Sequence, residues 1–144
     1  MTEPDEVLEQ NRREGKEILE KLLSAPAFPF DINLKSRLPV QHGVYVISRR
    51  NGTCLEYLHA GRSNNASGGL RSRIWAQHVT GGGDRARSDL VQKVIDRGLA
   101  VDRLSAQAWI KTNCFVQWAV EENDDLRCWA EHYILSVLRP SWGR

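Results

Sequence analysis

Residues 43–62 read GVYVISRRNGTCLEYLHAGR, and this stretch decides the fold. Its first part, residues 44–47, is β-branched and aromatic, and a second run of the same kind occupies residues 53–60. An Asn-Gly pair stands between the two runs, and this dipeptide is a strong signal for a tight turn between antiparallel strands. The stretch therefore predicts a β-hairpin.

Three polar ring side chains lie on this predicted hairpin. Tyr57 and His59 are two residues apart on one strand, so we expect them on the same face. A two-residue turn at 51–52 would separate Tyr45 from His59, whereas a three-residue turn at 50–52 would place Tyr45 opposite Tyr57 and diagonal to His59. In the second register, three groups that exchange protons share one face. The alternative for each tyrosine is ordinary core packing with a solvated hydroxyl.

Outside the hairpin, apolar spacing and capping residues predict six further segments. They are a helix over 4–23, an extended linker over 25–41, a short basic helix over about 70–79, a helix from an N-cap at Ser88 to a stop at Gly98, a strand over 114–120 and a last helix capped by Asn123. The linker contains two prolines in four residues, which exclude a helix interior.

These segments predict a fold of the α/β (α+β) class, a small three-stranded and mainly antiparallel sheet flanked by helices, with an extra N-terminal helix. The compact domain is predicted over 42–144, and an acidic helix with a proline-containing linker precedes it over 1–41. The N-terminal helix is expected either to pack on its own domain or to pair two copies of the chain as a homodimer.

Composition and cysteine usage limit the class of protein. A hydrophobic share of 41% with five Trp can fill a core, and the first residues contain no apolar run of the length that a signal peptide or a membrane span needs. The expectation is a cytoplasmic protein that does not engage membranes. Three cysteines without CxxC spacing predict reduced thiols and no disulfide framework.

The net charge of +2 hides an uneven distribution. Residues 1–23 carry seven acids and four bases, a net of −3, whereas residues 61–103 carry eight bases and four acids, a net of +4. Seven of those eight bases are arginine, whose planar fork matches two phosphate oxygens at once. The segment predicts binding to nucleic acid, most simply double-stranded DNA, and the alternative is a solvated surface. The expected phosphate contacts are Arg62, Arg71, Arg85 and Arg87.

Glu131 lies in the predicted last helix, which carries apolar residues on opposite sides. A helix of this kind is buried, so the carboxylate must be hydrogen-bonded, paired with a charge or bound to a cation. An ion pair with Arg127, one turn earlier, is the structural alternative to a metal ligand.

Four short motifs follow one another along the chain. They are Gly43-Val44-Tyr45, His59-Ala60-Gly61, Leu70-Arg71-Ser72-Arg73-Ile74 leading to His78, and Glu131 followed by Leu138-Arg139-Pro140. In order and spacing, residues 42–144 resemble the GIY-YIG nuclease domain. Each motif is weak alone, but four in register are fairly specific.

The resemblance implies a metal-dependent endonuclease that hydrolyses phosphodiester bonds in DNA. In that family two tyrosines of the hairpin face each other, an arginine on the first helix contacts the scissile phosphate, and a glutamate on a later helix holds one divalent metal ion. Matched by position, the implied catalytic residues are Tyr45, His59, Arg73 and Glu131, with Tyr57 as a substitute for His59 and His78 as a further candidate. Glu131 would hold Mg²⁺ or Mn²⁺, one ion per active site.

The sequence also departs from the family pattern. His59 stands where the family has a tyrosine, residues 140–144 contain no asparagine where the family usually has one, and His78 is one residue further from Arg73 than in the commonest spacing. These departures favour a rival in which the domain binds nucleic acid without cutting it. A second rival is a zinc-stabilised module that uses Cys128 and His132 with Cys114 or His78.

Overall fold

The computed structural model describes residues 2–64, 68–79 and 90–143, with only the backbone for residues 76–79. The described part contains one antiparallel sheet of four strands in the order β1-β4-β2-β3. The strands are β1 (Phe28–Pro29), β2 (Gly43–Asn51), β3 (Cys54–Arg62) and β4 (Cys114–Val120). The predicted mixed α/β class is confirmed, and the sheet has one strand more than predicted.

The helices of the described part cover both faces of this sheet. They are α1 (Glu3–Ser24), α2 (Leu34–Arg37), α3 (Gly69–Arg71), which continues as the π-helical segment Ser72–Val79, α4 (Leu90–Asp96), α5 (Arg103–Asn113) and α6 (Asp124–Leu138). None of the described helices is both long and apolar enough to cross a membrane.

Two cores lie on opposite faces of the sheet, as the alternation of side chains along a strand requires. On the first face, Tyr45 and Ile47 of β2 pack against apolar residues of the π-helical segment, α4 and α5. On the second face, Val44 and Val46 pack against α1 and α6. The N-terminal helix therefore packs on its own chain, in agreement with one of the two expectations for it.

The hairpin forms as predicted, but with a different turn. Asn51 pairs with Cys54, so the turn is Gly52-Thr53, and Gly52 adopts the left-handed φ of 68°. Further along, the register shifts by one residue between Ile47 and Ser48, because Leu58 is the extra residue of a β-bulge. Neither predicted turn is therefore correct.

The bulge places the Tyr57 and His59 side chains on opposite faces of the sheet. Ser48 pairs with Tyr57, and Ile47 pairs with His59. Tyr57 therefore packs with the second-face core, whereas His59 lies beside Tyr45 on the first face. The prediction that Tyr57 and His59 share a face is wrong, because the extra residue between them inverts the alternation.

The segment over 25–41 is more than the predicted linker. Phe28 and Pro29 pair with β4 as an edge strand, where a proline is tolerated because its missing N–H would face outward. Phe30, Leu34 and Leu38 are fully buried in the first-face core. This segment supplies the fourth strand and a share of the core.

The helix predictions are confirmed for α1, α6 and the basic segment, which is helical over residues 69–79 with π-helical hydrogen bonds over Ser72–Val79. The Asn123 side chain caps α6 by accepting a hydrogen bond of 2.9 Å from the Leu126 amide. α4 ends close to Gly98 as expected, whereas the predicted cap at Ser88 lies outside the described residues. α5 was not predicted, although Asp102 and Ser105 form a reciprocal capping box at its start.

Candidate active site

The hydroxyl of Tyr45 is the centre of a buried polar cluster on the first face of the sheet. Tyr45 is fully buried, and its Oη lies 3.1 Å from Arg73 Nε, which donates to it, and 3.3 Å from His59 Nε2. Arg73 comes from the π-helical segment, and His59 comes from β3 next to the bulge. Three of the residues that the resemblance implied therefore meet at one oxygen atom.

Gly61 makes room for this hydroxyl. It pairs directly with Tyr45 across the two strands, and a Cβ atom at Gly61 would lie 2.7 Å from Tyr45 Oη. Real Cβ atoms essentially never approach another heavy atom that closely. The glycine of the His59-Ala60-Gly61 motif thus has a steric function that belongs to the site itself.

Charges around Tyr45 act on its pKa in opposite directions. Burial raises the pKa of Tyr45 to about 12, and this is the largest effect. The positive charge of Arg73 and its hydrogen bond lower the pKa, while the negative charge of Glu131 raises it. The phenol is therefore protonated at neutral pH in the protein without ligands, and Arg73 is the group that favours its ionisation.

Lys93 joins the cluster behind His59, and sequence reasoning did not single it out. His59 is fully buried and Lys93 is only 9% exposed. Lys93 Nζ lies 2.9 Å from His59 Nδ1 and donates a hydrogen bond of 3.1 Å to the carbonyl oxygen of Trp142. The available signal was a lysine at the edge of the apolar stripe of α4, beside Val91 and Val94.

The chain after α6 holds the Trp142 carbonyl in place. Ser141 N and Trp142 N donate to the carbonyls of Tyr57 and Leu58 at 2.9 and 2.7 Å, and Ala60 N donates to the Gly143 carbonyl at 3.1 Å. These bonds satisfy backbone groups around the bulge, which β2 does not pair in regular register. The bulge, the chain end and Lys93 therefore form one connected structure around His59.

Glu131, which the resemblance places in one site with Tyr45, lies on the helix that covers the opposite face of the sheet. Its helix, α6, packs on the second face, but β3 is an edge strand and Glu131 is paired with Arg62 at the end of that strand. Glu131 Oε1 lies 3.6 Å from Arg62 Nη1, and the Glu131 side chain is 7% exposed. The burial predicted from the helix pattern is confirmed, and the negative charge of Glu131 is the smallest of the four effects on the pKa of Tyr45.

The alternative ion pair between Glu131 and Arg127 is absent from the described contacts. Arg127 instead pairs with Asp124 and donates to the carbonyl oxygens of Glu121 and Glu122. Asp124 is the first residue of α6, and Glu121 and Glu122 lie in the loop before it, so the buried guanidinium of Arg127 joins this loop to the helix.

Glu131 offers a single carboxylate to a metal ion. Among the described residues, no group of three His, Cys, Asp or Glu side chains could hold a metal. Mg²⁺ is commonly bound through one or two carboxylates, with water and substrate phosphate completing its six ligands. Arg62 Nη1 is buried and has no hydrogen-bond partner in the described part of the chain, so no hydrogen bond joins it to the carboxylate. One carboxylate beside an arginine is a minimal donor set, so an Mg²⁺ ion here would depend mainly on water and phosphate for its ligands.

The remaining candidates lie in different surroundings. Tyr57 is on the second face, Arg62 contacts Glu131, and Arg71 Nε donates to the Leu38 carbonyl at 2.9 Å. Arg71 therefore also anchors the chain before β2. The side chain of His78 and the whole of Arg85 and Arg87 lie outside the described residues.

Cys114 does not support the zinc alternative. It is buried in the first-face core, and burial raises the pKa of its thiol to about 12. Cys128 lies on α6, the helix that covers the second face. The sheet therefore stands between Cys114 and the helix that carries Cys128 and His132.

Comparison with known proteins gives no relative. No protein-family model, no curated protein and no solved structure matches the chain. Membership of the GIY-YIG family stays a prediction from the four motifs.

Proposed function

We propose that this protein is a divalent-metal-dependent endonuclease of the GIY-YIG type, which hydrolyses phosphodiester bonds in DNA. The observation that supports this proposal most strongly is the Tyr45 hydroxyl, buried between Arg73 Nε and His59 Nε2. Buried polar clusters with perturbed ionisation are concentrated at functional sites, although ion-pair networks in a core also produce them.

Phosphodiester hydrolysis needs a base for the attacking water, positive charge for the developing phosphorane oxygens and help for the leaving alkoxide. Tyr45 is the proposed base. Arg73 is the proposed phosphate clamp, because a guanidinium has five N–H donors and can contact the phenol oxygen and a phosphate together. The same arginine lowers the pKa of Tyr45. One side chain would therefore both bind the phosphate and favour ionisation of the base.

Glu131 is the proposed ligand for Mg²⁺ or Mn²⁺. Such an ion, when bound, supplies Lewis-acid stabilisation of the phosphate oxygens and of the leaving group. Arg62 lies 3.6 Å from the carboxylate, so it would have to move away from Glu131 when the ion binds and could then contact a phosphate. DNA would extend over the arginine-rich segment 61–103, where Arg62, Arg71, Arg85 and Arg87 are proposed phosphate contacts.

A second candidate function is a domain that binds nucleic acid without cutting it. Two observations favour it: the pKa of Tyr45 is raised to about 12, and Arg62 occupies the position beside Glu131 that a cation would share. If the Tyr45 phenol stays neutral, the site has no base. If Glu131 stays paired with Arg62, the site has no metal ligand, and only a phosphate-binding surface remains.

The two tyrosines of β2 and β3 provide a matched test. Supercoiled plasmid is incubated with the parent protein, Tyr45→Phe and Tyr57→Phe, each with Mg²⁺ and with a chelator. We expect nicking by the parent in Mg²⁺ only, loss of at least about 10²-fold in rate for Tyr45→Phe, and a parent-like rate for Tyr57→Phe, which lies on the other face.

The outcomes separate the candidates. Intact plasmid under every condition, with retained DNA binding, would establish the non-cutting module. Loss of cleavage in Tyr57→Phe alone would move the base to the second face and refute the role proposed for Tyr45.

A further inference from the structure

We infer that Lys93 is a positioning residue that fixes His59 in one tautomer, with the proton on Nε2, and so makes His59 a hydrogen-bond donor to Tyr45. The catalytic consequence rests on the proposed nuclease function, whereas the tautomer itself is a property of the folded chain.

The direction of the hydrogen bonds follows from the donors available. A lysine ammonium has three N–H donors and no acceptor. Lys93 Nζ donates to the Trp142 carbonyl and lies 2.9 Å from His59 Nδ1, so Lys93 in its ammonium form makes Nδ1 the acceptor. A neutral imidazole carries a single proton, which is then on Nε2. A proton on Nδ1 would point directly at an N–H group of Lys93.

The Nε2 proton faces the Tyr45 oxygen. His59 Nε2 lies 3.3 Å from Oη, and Arg73 Nε donates to the same oxygen at 3.1 Å. Two N–H donors then converge on the phenol, so its own proton cannot point at His59. Two donors also favour the phenolate, which is the form that accepts a proton from water.

Without Lys93, the opposite tautomer becomes available. His59 Nε2 would then accept the Tyr45 proton, and the phenol would donate to His59 while it still accepts from Arg73. Lys93 thus determines which of the two partners holds the proton between them.

Burial of the Lys93 ammonium at this position lowers the stability of the folded protein. Leu90, Val91 and Val94, its neighbours on α4, are fully buried, and a buried ammonium loses its hydration. An apolar side chain of similar length would fill the same space at lower cost. The carbonyl of Trp142, which backbone bonds hold against β3, is arranged to accept from this ammonium.

The test uses the full chain with ¹⁵N-labelled histidine. Long-range ¹H–¹⁵N correlation spectra distinguish the two tautomers of each imidazole, and His59→Gln assigns the His59 signals. We expect Nε2–H for His59 in the parent, a mixture or the Nδ1–H form in Lys93→Met, and the parent form in the exposed control Lys111→Met. Lys93→Arg keeps donors without an acceptor, so it should return His59 towards the Nε2–H form.

The parent spectrum alone can overturn the inference, even if no variant folds. Nδ1–H on His59 in the parent, or an unchanged tautomer in folded Lys93→Met, would refute it. If the nuclease proposal holds, Lys93→Met should also cut DNA about 10²-fold more slowly, with a partial recovery in Lys93→Arg. Absence of any cleavage would refute the nuclease proposal and leave the tautomer test intact.

Discussion

Gly61→Ala places a methyl group against the Tyr45 hydroxyl. The new Cβ would lie 2.7 Å from Oη and 2.9 Å from Cζ, whereas ordinary contact begins at 3.4 Å. The ring must therefore retreat by about 0.7 Å, inside a core where Tyr45 has no exposed surface. Overpacking of this kind costs about 1–3 kcal/mol of stability. The same shift moves Oη relative to Arg73 and His59, and misplacement on this scale costs about 10²-fold in rate.

Gly98→Ala is the matched control for this substitution. Gly98 has a φ of 72° and no atom within 4 Å of an added Cβ, so its cost comes from backbone strain of about 1–2 kcal/mol and does not involve Tyr45. Urea unfolding and single-turnover cleavage are measured on both variants at a temperature where both are folded. Both should lose stability, and only Gly61→Ala should lose rate. Equal rates in the two variants would show that cleavage does not depend on the position of the Tyr45 hydroxyl.

Three further outcomes are expected. Because burial raises the pKa of Tyr45 to about 12 and a base acts when deprotonated, the single-turnover rate should rise about tenfold per pH unit from roughly pH 7 to 10; a flat profile would argue against this base. Removing Arg85 or Arg87 should weaken DNA binding alike for all sequences and should reduce the slope of log affinity against log salt concentration by about one unit each. An unchanged slope would show that these side chains do not contact phosphates. Phe30→Ala should lower the free energy of unfolding in urea by about 3–5 kcal/mol, against under about 0.5 kcal/mol for Ile32→Ala, because Ile32 is 92% exposed. A small loss for Phe30→Ala would show that the segment over 25–41 is a linker rather than part of the core.

The local sequence pattern was sufficient to predict the helices and strands whose apolar faces and capping residues lie within one segment. The hairpin, β4, α1 and α6 follow from alternation, helical spacing and the Asn123 cap. The same information was available for α5, where Asp102 and Ser105 cap the first turn. That helix was missed because its apolar stripe is weak, with Ala106 and Ile110 as its buried residues.

Distant contacts determine what the local pattern left open. The bulge at Leu58 is stabilised by backbone bonds to residues 141–143, more than 80 residues later in the chain. Likewise, the prolines of 25–41 exclude a helix but contain no information about pairing with β4. Tertiary contacts therefore determine on which face of the sheet a side chain lies and with which strand a segment pairs. A short window of sequence does not contain these contacts.

The candidate site shows the same division. The motifs identify Tyr45, His59 and Arg73, which the fold brings together at one oxygen. Lys93 could not be paired with His59 from the sequence, because 34 residues separate them and the Trp142 carbonyl completes the contact. Within the described residues, Glu131 likewise pairs with a distant arginine, Arg62, rather than with the neighbour one helical turn away.

In the proposed mechanism, Glu131 serves the metal and the transition state rather than the binding of DNA. Single-turnover cleavage by Glu131→Gln in Mg²⁺, with DNA affinity measured in Ca²⁺, tests it most directly, because the substitution keeps the shape and removes the charge. Affinity should stay within about twofold of the parent, while the rate falls by roughly 10²-fold or more. Arg73→Ala should lower both, since a phosphate clamp acts in the ground state and the transition state alike. Cleavage by Glu131→Gln at the parent rate would make Glu131 merely the ion-pair partner of Arg62 and would contradict the proposed nuclease mechanism.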